Sequence, residues 1–183
     1  WAVAEMERRL KIFEGVGARN IGKYNKLIQD GELTDEDGNH PDEMPYIVVV
    51  IDELSDLMMV AGKEVEDSIV RISQLARAAG IHLIVATQRP TSNVVTGMIK
   101  ANITNRIALS VATGIESRVI MDQPGAEKLV GNGDMLYTKP EWGKPKRIQG
   151  CFVDDAEIAS VVEHLKAQGS PEYHTEILQL QVG

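Results

Sequence analysis

The segment Tyr46-Ile47-Val48-Val49-Val50-Ile51-Asp52-Glu53 carries more information about the fold than any other part of the chain. Its first six residues are apolar and mostly β-branched, with no polar alternation. A strand buried on both faces of a parallel sheet reads this way. The next segment places Val65, Ile69, Ile72, Leu75 and Ala79 on one helical face and closes at Gly80, the usual left-handed stop of a helix. Ile81 to Ala86 then reads as a second buried strand. Strand, helix and strand in this order predict a right-handed βαβ unit and hence an α/β protein with a mostly parallel sheet flanked by helices.

Upstream, Val3, Met6, Leu10 and Phe13 recur at helical spacing, so residues 2–14 read as an amphipathic helix that ends at Gly15 and Gly17. Residues 20–29 read as a shorter helix, and residues 30–45 as a polar, turn-rich loop. Downstream, a short helix is expected over 94–101 and a third strand over 106–111. Thr113 and Glu116 form a capping-box pattern that opens a helix through Met121. Gly131-Asn132-Gly133 marks a turn before a strand at 134–137. A loop over 138–146 and a strand over 147–153 complete an antiparallel hairpin near the C-terminus. Asp154 and Glu157 repeat the capping pattern, opening a helix expected to turn Ile158, Val161, Val162 and Leu165 inward.

A length of 183 residues suits one domain with a real core. The expected division is a principal domain over 1–169 and a C-terminal tail or linker over 170–183. No apolar run approaches the ~20 residues of a membrane-spanning helix. The first residues lack a signal-peptide layout and a starting Met, so the sequence reads as a piece of a longer protein, with any membrane anchor outside it. Cys151 is the sole cysteine. It cannot form an internal disulfide, which fits a cytoplasmic setting, and beside Phe152 and Val153 it is expected to be a buried small apolar residue. The four histidines show no metal-binding spacing. The net charge of −8 argues against nucleic acid only until its distribution is read. Residues 30–67 hold 13 acids and one base, so the remainder carries a positive balance.

Asp52 and Glu53 stand at the C-terminal end of the first strand, the edge where open α/β sheets bind ligands. In nucleotide hydrolases one such acid holds Mg²⁺ through water and the second polarises the attacking water. The plain alternative is two acids solvating a strand end. The second strand ends in Thr87-Gln88-Arg89-Pro90. Gln88 there could sense a γ-phosphate, or could simply begin a turn. Two neighbouring strands ending in polar residues at one edge favour a site. Arg106 and Arg118 suit phosphate, although an isolated Arg is more often a surface ion-pair partner. The loop 138–147 carries Lys139, Lys144, Lys146 and Arg147 around Trp142, which fits either a backbone-tracking DNA element or a solvated hairpin tip. Met6 and the Met58-Met59 pair read as core packing.

Asp52-Glu53-Leu54-Ser55-Asp56-Leu57-Met58-Met59, Leu75-Ala76-Arg77-Ala78-Ala79-Gly80 and Ala86-Thr87-Gln88-Arg89-Pro90 closely resemble the motor domain of FtsK/SpoIIIE DNA translocases. So do Thr96-Gly97-Met98-Ile99-Lys100-Ala101-Asn102, Asp122-Gln123-Pro124-Gly125-Ala126-Glu127-Lys128-Leu129 and Gly131-Asn132-Gly133-Asp134-Met135-Leu136. The resemblance runs over residues 1–170. It implies a RecA-like P-loop NTPase core that binds ATP and Mg²⁺ between subunits of a homohexamer encircling double-stranded DNA. It further implies that Asp52 is the magnesium acid, Glu53 the catalytic carboxylate, Gln88, next to Thr87, the γ-phosphate sensor, and Arg106 the arginine finger. Arg118, Lys128 and the hairpin bases would face DNA. No G-x-x-x-x-G-K-[ST] occurs in the sequence, so the family's phosphate loop is expected upstream of residue 1 and its winged-helix module downstream of residue 183. The chain by itself is expected not to hydrolyse ATP. A competing expectation is a non-catalytic module of the same fold that assembles a ring or binds a partner. Another is an ATPase directed at RNA or single strands.

Overall fold

A computed structural model describes residues 1–35, 37–175 and 177. The chain divides into two compact units, residues 2–104 and residues 105–183 with Trp1.

In the first unit, α1 (Ala2–Gly15) and α2 (Ile21–Gln29) precede a parallel pair, β1 (Ile47–Ile51) and β2 (Ile81–Val85), joined by α3 (Leu54–Ala79). The register pairs Ile47 with Ile81, Val49 with Leu83 and Ile51 with Val85. These residues face the helices. Ile47, Val49, Ile81 and Leu83 pack with Met6, Ile72, Ala76 and Ala79. Ile51 and Val85 join Leu54, Ile69, Val94 and Ile99, with α4 (Gly97–Asn102). Phe13, Ile21, Tyr24 and Leu27 close α1 onto α2. Asn20 caps α2, its side chain accepting from the Lys23 amide at 2.9 Å.

The expectation of burial on both sheet faces does not hold here. Val48, Val50 and Ile84 are 57%, 64% and 56% exposed, because only the inner face meets helices of this unit. Leu75, expected on the packed face of α3, is likewise exposed. Met6 is fully buried and Met58 packs against the core, but Met59 is exposed. Ala61 breaks α3 with non-helical angles (φ −146°, ψ 51°), so two helices meet there. Gly80 ends α3 at φ +72°, and an added Cβ would lie 2.5 Å from Ile21 Cδ1. Glycine is required there on both counts.

In the second unit, β3 (Arg106–Ala108), β4 (Asp134–Thr138) and β5 (Lys146–Gln149) form an antiparallel sheet in the order β3-β4-β5. The third strand thus belongs to this sheet, and β5 stops four residues short of its expected end. α5 (Gly114–Met121) opens with the expected capping box, as does α6 (Asp155–Ala167). Gly131, Asn132 and Gly133 all have positive φ and turn the chain into β4. The core is small: Ala108, Met121, Ala126 and Leu129. Two expectations fail. Ile158, Val161, Val162 and Leu165 are exposed, because among the described residues no other element of this unit covers α6, and Cys151 is exposed beside Phe152, itself 87% exposed. Of the expected tail 170–183, residues 176 and 178–183 lie outside the described residues.

Candidate functional site

β1 runs into Asp52 and Glu53, and β2 into Thr87 and Gln88, at the same edge of the parallel pair. Two backbone bonds of 2.8 Å, Ala86 N–H to Ile51 O and Leu54 N–H to Ala86 O, hold the two strand ends together just below these side chains. The structure therefore brings four of the expected site residues into one cluster.

The two carboxylates are treated differently. Asp52 is exposed, and no hydrogen bond or ion pair engages its side chain among the described residues. Glu53 is heavily engaged. The Thr87 hydroxyl donates to its Oε1, the Ser55 amide donates to the same oxygen at 3.1 Å, and the Gln88 amide donates to Oε2 at 2.7 Å. Glu53 is thus also the N-cap of α3. The Thr87 hydroxyl, then the Gln88 amide and then Ser55, hold its carboxyl at about 2, below the ordinary 4.5. Sequence reading found Glu53 and Thr87 but missed their bond, which spans 34 positions. A second missed feature is Ser55, whose buried hydroxyl has no partner among the described residues.

The donor set fits a hard cation: a free carboxylate is what Mg²⁺ takes through its water shell. Among the described residues no group of three or more His, Cys, Asp or Glu side chains forms a protein-only metal cage.

The remaining expected residues belong to the second unit. Arg106 Nη1 lies 2.6 Å from Asp122 Oδ2 and 3.3 Å from the Ile120 carbonyl, tying β3 to the end of α5. Arg118 is exposed near Gly114, where an added Cβ would sit 3.6 Å from Glu127 and 3.8 Å from Arg118. The Glu127 carboxyl, lowered first by the Gly125 amide, also feels the charge of Arg118. Lys128 is exposed at the end of a 3-10 turn. In the hairpin, Lys146 Nζ lies 4.1 Å and Lys139 Nζ 5.0 Å from the Trp142 ring centre, and Tyr137 meets Trp142 edge-on at 5.1 Å. Lys144 is exposed at the tip. Arg147 is occupied: its Nε and Nη2 donate to both oxygens of Asp134 at 2.9 and 2.7 Å.

Known proteins are similar in sequence and in fold. The FtsK/SpoIIIE family profile matches residues 1–92. The DNA translocase FtsK 2 of Ralstonia nicotianae is 52% identical over 190 residues, covering 98% of this chain and 24% of the relative. The DNA translocase SpoIIIE of Bacillus subtilis is 53% identical over 176 residues, covering 96% and 22%. The chain thus spans about a quarter of the length of these relatives. Among solved structures, the pCW3 conjugation coupling protein TcpA with ATPγS superposes with a TM-score of 0.74 at 29% identity, over 91% of this chain and 46% of that one. The cytoplasmic domain of the Thermomonospora curvata Type VII secretion ATPase EccC gives 0.74 at 25% identity, over 94% and 20%. These structures share the P-loop ATPase motor fold. With a strand-end Asp-Glu pair, a latched Thr-Gln turn and half its length matching one family profile, the chain belongs to the FtsK/SpoIIIE family.

Proposed function

We propose that this chain is part of an ATP-driven translocase that moves double-stranded DNA in chromosome segregation, working as a homohexameric ring. The observation that carries the reading is the pairing of a free Asp52 with an oriented Glu53, anchored by the Thr87 hydroxyl and the Gln88 backbone. Asp52 would hold hydrated Mg²⁺, which when bound neutralises charge on the transferring phosphoryl group. Glu53 would accept a hydrogen bond from the attacking water and orient it. Gln88, exposed at the neighbouring strand end, would contact the terminal phosphate. Arg106 would serve the ATP of the next subunit, a role that requires its guanidinium to leave Asp122. Arg118, Lys128, Lys139, Lys144 and Lys146 would line the DNA-facing surface. Arg147 contributes through Asp134 by holding the hairpin.

On this reading the phosphate loop is supplied from upstream in the parent protein, a winged-helix module follows, and the 183 residues alone do not hydrolyse ATP. The motor portion would be cytoplasmic and membrane-tethered through another region. Among the described residues no helix is long and apolar enough to cross a membrane. The exposed sheet face of Val48, Val50 and Ile84 also favours a second reading, a non-catalytic ring-assembly module. Full-length protein assayed for ATPase activity with and without double-stranded DNA separates the two. DNA-stimulated turnover that falls by about a thousandfold in Asp52→Ala supports the motor. Unchanged turnover in that variant supports the assembly module instead.

A further inference from the structure

We infer that Thr87 is the positioning residue for Glu53: its hydroxyl fixes the carboxylate so that the one acceptor site left open faces the side of Oε2 next to Gln88. The inference rests on the reading of Glu53 as the water-orienting carboxylate. A carboxylate offers about four lone-pair sites. On Glu53, Oε1 receives two donors, the Ser55 amide at 3.1 Å and the Thr87 hydroxyl. Oε2 receives one, the Gln88 amide at 2.7 Å. One site remains, and it shares its oxygen with Gln88.

Thr87 is built to set this geometry. Its single hydroxyl proton is committed to Glu53, while its Oγ1 accepts from the Arg89 amide at 3.0 Å. Donor and acceptor directions are therefore both fixed. The platform beneath is rigid, since Ala86, the preceding residue, exchanges 2.8 Å backbone bonds with Ile51 and Leu54. Thr87 also sits in the turn that carries Gln88. Any shift of residues 87–89 must turn the Glu53 carboxylate with it, so the phosphate-sensing turn and the water-orienting acid move as one body.

The test uses DNA-stimulated ATPase activity of the full-length protein. Thr87→Val keeps the shape and removes the proton; Thr87→Ser keeps the hydroxyl. The expected result is that Thr87→Val lowers kcat about tenfold to a hundredfold with KM for ATP within about twofold, and Thr87→Ser restores most of the loss. Thr87→Ala gives the same comparison if the valine variant does not fold. Wild-type kcat in Thr87→Val and Thr87→Ala, with Glu53→Gln inactive, overturns the inference and leaves the reading of Glu53 standing. So does an equal loss in the Ser and Val variants, because the hydroxyl is then not the operative group. Full activity in Glu53→Gln overturns the reading of Glu53 itself.

Discussion

Each unit encloses one buried charge among the described residues, and the two are braced in opposite ways. Arg9 in α1 is 3% exposed. Its Nη1 donates to two backbone carbonyls, Pro45 at 2.7 Å and Ala79 at 3.1 Å, and its Nε to Glu5 at 2.7 Å. It thereby pins the entry of β1 to the end of α3. Asp134 in β4 is also 3% exposed, and it relies on the Arg147 guanidinium with help from the Val130 amide at 2.8 Å. Carbonyls do not titrate, so Arg9 keeps two partners at any pH. Asp134 loses its ion pair when it takes a proton. Acid takes only the Glu5 bond from the first brace, but it takes the whole ion pair from the second.

Replacing Arg9 is the sharpest challenge to this contrast. Arg9→Ala strands two carbonyls, while Glu5 keeps its two bonds from Arg8, and should cost about 2–5 kcal/mol in denaturant unfolding of the 2–104 unit. A loss near zero would mean that the Arg9 brace contributes nothing.

A smaller effect is expected at Asp134. The Arg147 guanidinium and the Val130 amide hold its carboxyl at about 2, against an ordinary 3.8. A depressed carboxyl stabilises the folded state above its unfolded value and ceases to do so as pH falls through the folded one. Thermal melting of the second unit should therefore lose stability between about pH 4 and pH 2. Arg147→Ala should flatten that slope, while the same variant leaves the first unit's melting unchanged. An unaltered slope would break the comparison.

The smallest effect concerns the hairpin bases. Lys144 has no ion-pair partner among the described residues, and Lys146 leans on Trp142; Arg147 is held by Asp134. The Lys144→Ala/Lys146→Ala pair should lower the slope of log affinity against log salt for double-stranded DNA by about 2, and Arg147→Ala by less than 1. Equal slopes in both variants would show that the Asp134 bond does not withhold Arg147.

What the sequence disclosed was local. The β1 run, both capping boxes and the 131–133 turn depend on neighbours a few residues away, and all appear in the structure. The positions of Asp52, Glu53, Thr87 and Gln88 at one edge followed from two strand ends. What escaped was long-range. The Arg9 contact with Ala79 spans 70 positions, the Thr87 bond to Glu53 spans 34, and the capture of Arg147 by Asp134 crosses strands. The outward faces of β1 and α6 are exposed for a related reason. Apolar patterning reports that a face wants cover, whereas exposure depends on which elements are there to supply it.

The break at Ala61 divides α3 into a short helix over residues 54–60, capped by Glu53, and a longer one that joins the core through Ile69, Ile72 and Ala76. Amide protons just past such a break lack their partners one turn back. They should exchange with solvent deuterium well before those near Ile72, so the short helix behind Glu53 opens as its own unit. The acid at its tip is then held in place by the β2 side of the cleft more than by the helix it caps.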